Sequence, residues 1–235
     1  MDVWSPRLCM ALLVLDVTCI ALHLITGWPV FDLDQEGNLS AWYSSAKLLG
    51  IALVAVAVYF RERDAGGASC RHTWLWLLVA FIFVGLSADE TASMHERMAR
   101  MFMEETSVGL DVRETLLGGD KAKDSFAWVL LFSPLILAVA LFFAVFFYKR
   151  FRNQKIAAVM AMAGIACFLA AAGMEATILA RPSFKDWTAS TTSAYRTGTA
   201  VEESGEIFGT TLIFMALVAY GLRLKPRPIE GVGPA

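Results

Sequence analysis

Long apolar runs alternate with shorter polar connections along this chain of 235 residues. A helix needs about 20 predominantly apolar residues to cross the hydrocarbon core of a bilayer. Six segments meet that length: Leu8–Thr26, Ala41–Phe60, Trp74–Arg97, Phe126–Tyr148, Ile156–Ala180 and Val201–Leu222. The pattern therefore predicts an all-α polytopic membrane protein, a six-transmembrane-helix bundle that forms a single integral membrane domain over residues 1–235.

The third segment turns polar before it ends. Its apolar run stops just before Asp89, and Glu90, His95 and Glu96 follow within a few residues. That run is too short to cross the membrane alone, so these side chains are predicted to sit within or just under one headgroup layer. Ionisable groups at such a depth usually face a protein interior and mark functional sites.

Basic residues cluster in every second connection. The connections after the second and fourth segments and the C-terminal tail are rich in cations, whereas the first connection carries acids and no Lys or Arg. Short loops rich in Lys and Arg stay in the cytoplasm. The pattern therefore predicts that both termini are cytoplasmic and that the polar end of the third segment faces outward.

Composition excludes two broad classes of protein. With 57% hydrophobic and 18% charged residues, the chain is more apolar than a soluble domain. Its formal net charge is -2 and it has no basic patch interleaved with aromatic residues, so no nucleic-acid partner is expected. The four cysteines form no CxxC pair, and neither a disulfide framework nor a thiolate zinc site is expected.

Carboxylates recur at the outward ends of three predicted helices. Glu175 lies near the outward end of the fifth segment, and the sixth begins with Glu202, Glu203 and Glu206. Residues seven apart on a helix differ in direction by about 20°, which places Asp89 and Glu96 on one stripe. Small residues in the fifth segment let helices approach closely. We therefore expect one carboxylate-rich cavity that contains His95.

These acids outnumber the cations near them, since only Lys47, Arg97 and Arg100 lie in the same region of the predicted bundle. Imidazole and carboxylate groups together suit iron, zinc or manganese. We therefore predict a divalent metal site with ligands drawn from Asp89, His95, Glu96, Glu175, Glu202 and Glu206, and catalytic roles for Glu90 and Glu203. Neither an HExxH nor an ExxH spacing is present. The alternative is a buried ion-pair network in which the three cations neutralise acids.

Asp16 interrupts the first apolar segment and shares a helical stripe with His23. A carboxylate near the bilayer centre can carry protons, so Asp16 and His23 are candidates for a proton relay. The alternative is a structural Asp16 that is hydrogen-bonded to Thr18 or to a neighbouring helix.

The first connection contains the alternating oxygens and the glycine of a calcium loop, in Asp32, Asp34, Glu36 and Gly37. The bidentate Glu of an EF-hand is missing, because its position is occupied by Tyr43. The favoured interpretation is an acidic outer turn in which Ser40 caps the second helix.

Four short motifs carry a resemblance to a group of uncharacterised bacterial inner-membrane proteins that span the membrane several times. They are Phe31-Asp-Leu-Asp-Gln-Glu-Gly-Asn38, Trp42-Tyr-Ser-Ser45, Asp89-Glu90 with His95-Glu96, and Glu202-Glu203 with Glu206 and Gly209. The resemblance implies the bacterial inner membrane as the location and implies no known activity. A weaker similarity is to membrane hydrolases of the alkaline ceramidase kind, but those use several histidines and seven spans.

Three functions remain open from the sequence. The first is a metal-dependent enzyme that acts on a lipid or other amphiphile entering from the outer leaflet, with a spare Glu as the base. The second is a proton- or cation-coupled transporter in which Asp16 continues the path inward. The third is a non-catalytic accessory subunit, held by a membrane-complex partner or as a homo-oligomer, whose polar network locks its helices. In all three the lipid bilayer surrounds the chain.

Overall fold

A computed structural model describes residues 4–33, 35, 37–65, 72–179 and 189–224. This part of the chain is helical, as predicted. Its α-helices are α1 (Trp4–Thr26), α2 (Leu39–Ala65), α3 (Leu75–Ala92), α4 (Met94–Glu105), α5 (Ser107–Leu116), α6 (Trp128–Phe151), α7 (Lys155–Leu179) and α8 (Ala189–Arg223). Short 3-10 turns at Pro29–Phe31, Lys121–Lys123 and Ser125–Ala127 join them.

Within the described ranges, 6 helices are long and apolar enough to cross a membrane: α1, α2, α3, α6, α7 and most of α8. The prediction of six spanning helices is confirmed, and the chain is a multi-pass membrane protein. The side of the membrane on which the termini lie stays a prediction.

The third span is shorter than predicted. Ser93 adopts a left-handed backbone conformation, with φ 47° and ψ 42°, and ends α3 at Ala92. A left-handed residue breaks the helical hydrogen-bond ladder and changes the direction of the chain. The expectation of one continuous helix through Arg97 is therefore wrong, and so is the single stripe that was expected to join Asp89 to Glu96.

The helices α7 and α8 approach closely at a pair of glycines. A Cβ atom added to Gly164 would lie 2.8 Å from the carbonyl oxygen of Gly209, and one added to Gly209 would lie 3.0 Å from the carbonyl oxygen of Gly164. Gly164 has no room for a side chain, and a side chain at Gly209 would require its neighbours to shift by a few tenths of an ångström. This packing fixes the relative positions of Glu175 on α7 and Glu206 on α8.

Polar contacts join α2, α6 and α8 at one end of the bundle. The Arg61 guanidinium donates to the carbonyl oxygen of Gly221 at 2.9 Å, and Arg150 pairs with the buried Glu62 at 3.1 Å. The hydroxyl of Tyr220 also donates to Glu62. We call the end of the bundle that holds these five residues the basic end.

An aromatic cluster lies next to the basic end. Trp76 near the start of α3 has 0% exposure, and its ring centroid lies 4.8 to 6.1 Å from those of Phe146, Phe147, Phe151 and Tyr220. Offset and edge-on ring contacts of this kind stabilise a packed interior. They hold the start of α3 against the C-terminal half of α6.

The connection between α1 and α2 differs from expectation at its cap. Asn38 caps α2, because its Oδ1 accepts a hydrogen bond from the backbone N–H of Ala41 at 3.0 Å. Ser40 is buried in the first turn instead, so its assignment as the cap is wrong. Asp34 and Glu36 of the calcium-like loop lie outside the described residues.

Candidate functional site

The centre of the candidate site is a pair formed by Asp89 and His95 across the break at Ser93. Asp89 Oδ1 accepts a hydrogen bond from the backbone N–H of His95, and Asp89 Oδ2 lies 2.8 Å from His95 Nδ1. The backbone contact satisfies a donor in the first turn of α4, where a carboxylate is favoured by the helix dipole. The ring contact orients the imidazole and leaves Nε2 for other chemistry.

Trp128 connects this pair to α7. Its ring meets the His95 ring edge-on, with 4.5 Å between centroids and an interplanar angle of 63°. Its Nε1–H donates to Glu175 Oε1 at 2.6 Å. Trp128 therefore positions an imidazole and a carboxylate from two different helices. We call the end of the bundle that holds these side chains the site end.

Further acids surround His95 at the site end. Glu175 and Glu96 both lie within electrostatic reach of the imidazole, and Glu206 lies within reach of His95 and Asp89. Burial alone would lower the pKa of His95. The hydrogen bond and charge of Asp89, with the charges of Glu175 and Glu96, outweigh that effect and raise the pKa above the ordinary value of 6.5.

The residues predicted as metal ligands are thus partly brought together, but not in the geometry of a metal site. Within the described part of the chain, no group of three or more His, Cys, Asp or Glu side chains could hold a metal ion. Glu96 instead pairs with Arg100, at 3.7 Å, on the exposed face of α4. The divalent metal ion stays a prediction that the arrangement of these side chains does not support.

A second polar cluster lies deeper in the bundle, around Asp16. Asp16 has 0% exposure, and its Oδ1 lies 2.9 Å from Nζ of the buried Lys47. The Tyr43 hydroxyl donates to Asp16 Oδ1 at 2.6 Å, and the Thr211 hydroxyl donates to Oδ2 at 2.6 Å. Lys47 Nζ also donates to the carbonyl oxygen of Ile207 at 2.8 Å. Three helices, α1, α2 and α8, therefore supply one hydrogen-bonded ion pair.

This pairing confirms the expected hydrogen bonding of Asp16 to neighbouring helices and changes the expectation for Lys47. Asp16 is hydrogen-bonded to α2 and α8, whereas the hydroxyl of Thr18 donates to the carbonyl oxygen of Val14 instead. Lys47 was expected to neutralise the outer acids, but its Nζ donates a hydrogen bond to Asp16 instead.

His23 has a different environment from its predicted relay partner. It is buried, and its Nδ1 accepts a hydrogen bond from the backbone N–H of Leu33 at 3.1 Å. The Asp32 carboxylate lies 3.4 Å from the same nitrogen. Asp16 and His23 are about 10 Å apart along the axis of α1. These contacts anchor the connection between α1 and α2, and the proton-relay role of His23 stays a prediction.

The other predicted site residues lie on the same helices. Glu90 is half-buried on α3 and lies within electrostatic reach of Lys47. Glu202 and Glu203 are half-buried on α8, one turn before Glu206. Their catalytic or ligand roles stay predictions.

Sequence reasoning missed a buried ion pair in the connection between α3 and α6. Arg113 on α5 donates through Nε to Asp124 Oδ1 at 2.9 Å and through Nη2 to the carbonyl oxygen of Met103 at 3.0 Å. Met103, Leu117 and Ala127 form a small apolar core beside it. The amphipathic pattern of the α4 and α5 sequences was the signal that could have indicated a packed connection here. This compact connection leads α4 back to the start of α6, where Trp128 lies.

A family model described as a domain of unknown function (DUF8692) matches residues 8–220. The match extends over the six spans and both polar clusters, and it confirms the prediction of an uncharacterised family. No curated protein and no solved structure matches the chain.

Proposed function

The chain belongs to this family of unknown function, DUF8692, and we propose that it is a proton-coupled membrane carrier. The cluster of Asp89, His95, Glu175 and Glu206 is the proposed proton-binding centre at the site end. The observation that carries the proposal is the Asp89–His95 pair, held at 2.8 Å among further carboxylates at the end of the spanning helices. Ionisable groups within a membrane bundle commonly form proton pathways.

Charge balance supports proton binding at this cluster. His95 carries one positive charge when protonated, and it lies within electrostatic reach of Asp89, Glu175 and Glu96. Several partly buried carboxylates cannot all ionise at low cost, so neighbouring acids share protons. On α4, Arg100 pairs with Glu96 at 3.7 Å, and the Arg100 side chain is 53% exposed. A centre of this kind binds and releases protons instead of holding a fixed charge.

The inner end of the proposed pathway is the Asp16–Lys47 pair. Lys47 donates to the carbonyl oxygen of Ile207, the residue that follows Glu206 on α8. Glu90, which follows Asp89, lies within electrostatic reach of Lys47. Titratable groups on α3 and α8 therefore connect the site end to the apolar middle of the bundle. This arrangement favours a carrier over a protein whose polar groups are confined to its surface.

A second candidate function is a metal-dependent enzyme that acts on a lipid or other amphiphile. The Asp89–His95 contact favours it, because a carboxylate that holds one ring nitrogen orients the other toward a metal. The enzyme would need further ligands, which Glu175 and Glu206 would supply only after rearrangement. Iron, zinc or manganese would then polarise the substrate or activate water.

Purified full-length protein in liposomes that enclose a pH-sensitive dye tests the proposal. A potassium diffusion potential should drive protons inward faster than in protein-free liposomes. Glu206→Gln should remove this flux, and Glu104→Gln, a matched change at an exposed residue of α4, should preserve it. A wild-type flux equal to that of protein-free liposomes would contradict a proton pathway through the bundle in the absence of a coupled solute. Stoichiometric bound metal that His95→Gln abolishes would favour the enzyme.

The proposed location is a bacterial inner membrane, with the basic end in the cytoplasm and the site end facing the periplasm. The support is the concentration of Lys and Arg in connections at the basic end. Reporter fusions after Asp64 and after Arg152 should give a cytoplasmic signal, and a fusion after Gly37 should give an external one. A cytoplasmic signal after Gly37 would reverse the orientation of the site.

A further inference from the structure

A cavity of about 940 Å³ opens at the basic end, between the start of α3 and the C-terminal half of α6. It is remote from the candidate site, which lies at the opposite end of the same helices. Its walls are apolar along α6 and polar where α6 turns into α7. The lining residues that matter here are Leu141, Val145, Phe146, Lys149, Arg152 and Gln154.

The apolar wall has the length of one lipid leaflet. From Ala138 to Lys149 the groove follows α6 for about 16 Å, at about 1.5 Å per residue. Half of a hydrocarbon core measures about 15 Å. Leu141 is 65% exposed and Val145 is 44% exposed, so the wall is open to the lipid side. An acyl chain can therefore lie along it from the headgroup layer to the bilayer centre.

The mouth of the groove is positively charged. Lys149 and Arg152 are exposed there, whereas Arg150 forms an ion pair with Glu62 at 3.1 Å. The described residues that line the cavity include no Asp or Glu. Two exposed cations at the headgroup level, without a carboxylate in the lining, favour an anionic phosphate group.

A buried hydrogen-bond acceptor favours anionic lipids whose headgroups carry a hydrogen-bond donor. The Oε1 atom of Gln154 is buried and has no hydrogen-bond partner in the described ranges of the chain. Gln154 also lines the cavity. A buried acceptor without a donor costs free energy, and a hydroxyl group of a bound headgroup would supply that donor once the Gln154 amide turns toward the cavity. Phosphatidylglycerol combines an anionic phosphate with hydroxyl donors.

We propose that this groove is a binding site for an anionic phospholipid of the phosphatidylglycerol class. One acyl chain lies against Leu141, Val145 and Phe146, and the phosphate lies between Lys149 and Arg152. The Gln154 side chain accepts a hydrogen bond from the glycerol headgroup. The bound lipid covers the junction of α3 with α6 at the basic end.

The test is lipid binding by the full-length protein, measured by native mass spectrometry and by thermal unfolding in detergent with added lipid. Phosphatidylglycerol should bind at least about tenfold more tightly than phosphatidylcholine, because two surface cations each attract the anionic lipid. The double variant Lys149→Gln/Arg152→Gln should lose this preference. Leu141→Trp should weaken the binding of both lipids by filling the groove.

The matched control is Arg63→Gln/Arg223→Gln, which removes two exposed cations that do not line the groove. It should retain the preference for phosphatidylglycerol. Equal binding of both lipids by the wild type, or equal loss in both double variants, would overturn the proposal. Inorganic phosphate that stabilises the protein as well as the lipid does would also overturn it, by assigning a simple anion site.

Discussion

Lys47 and Asp16 form an ion pair within the helical bundle, with 2.9 Å between Nζ and Oδ1. Both side chains are buried, and hydrogen bonds from Tyr43 and Thr211 occupy the carboxylate oxygens. Removing one partner of such a pair leaves the other charge buried without compensation. The pair therefore stabilises the contact of α1 with α2 and α8 as well as serving the proposed pathway.

Asp16→Asn should destabilise the protein by about 3–5 kcal/mol, because the Lys47 ammonium then remains buried without a counter-charge. Lys47→Met should have a similar cost. The double variant should be less destabilised than the sum of the two single variants, since it leaves neither charge alone. Unfolding in detergent measures all three. Thr18→Val, on the exposed side of α1, is the control, and an Asp16→Asn protein as stable as the wild type would refute the ion pair.

Protonation of His95 should make stability depend on pH. Asp89 and the nearby glutamates raise the pKa of His95 despite its burial, so protonated His95 stabilises the folded state. This contribution to stability is fully present below pH 6.5 and is lost as the pH rises through the raised pKa. The melting temperature of the wild type should therefore fall as the pH rises above 6.5 and through the raised pKa of His95.

Asp89→Asn should flatten this dependence by lowering stability chiefly at acidic pH. His72→Gln, which removes an exposed imidazole at the basic end, should leave the slope unchanged. A slope that survives in Asp89→Asn would assign the pH dependence to another group.

Arg113→Met should destabilise the connection between α3 and α6 by about 3–5 kcal/mol, because it leaves the buried Asp124 carboxylate unpaired. Arg100→Met breaks an exposed pair with Glu96 and should cost only about 0.2–1 kcal/mol. Chemical unfolding of both variants gives the comparison. Equal costs would show that burial does not strengthen the Arg113 contact.

Hydropathy predicted the six spans, and spacing predicted that Asp16 and His23 share one face of the first span. Asp16 and His23, seven residues apart, are both buried, whereas Val17 and Leu24 are 57% and 61% exposed. A span requires a long apolar run, and a seven-residue spacing marks one helical face. These properties are local, so the sequence carries them directly.

The break at Ser93 and the side-chain partners were not predictable in the same way. Ser93 adopts φ 47° although no Gly or Pro marks the turn. Lys47 and Trp128 meet Asp16 and Glu175 across 31 and 47 residues of sequence. Such contacts depend on how the helices are rotated and packed, which a single sequence does not specify.

The measurement that tests the proton-binding centre most directly is infrared difference spectroscopy of the purified full-length protein during a pH titration. In the proposed centre Glu206 and Glu175 share protons beside His95, so the wild type should show a carboxyl C=O band that titrates. Glu206→Gln should lose or shift that band, and Glu104→Gln should retain it. A spectrum with no titrating buried carboxyl, or the same band in wild type and Glu206→Gln, would contradict the proposed centre.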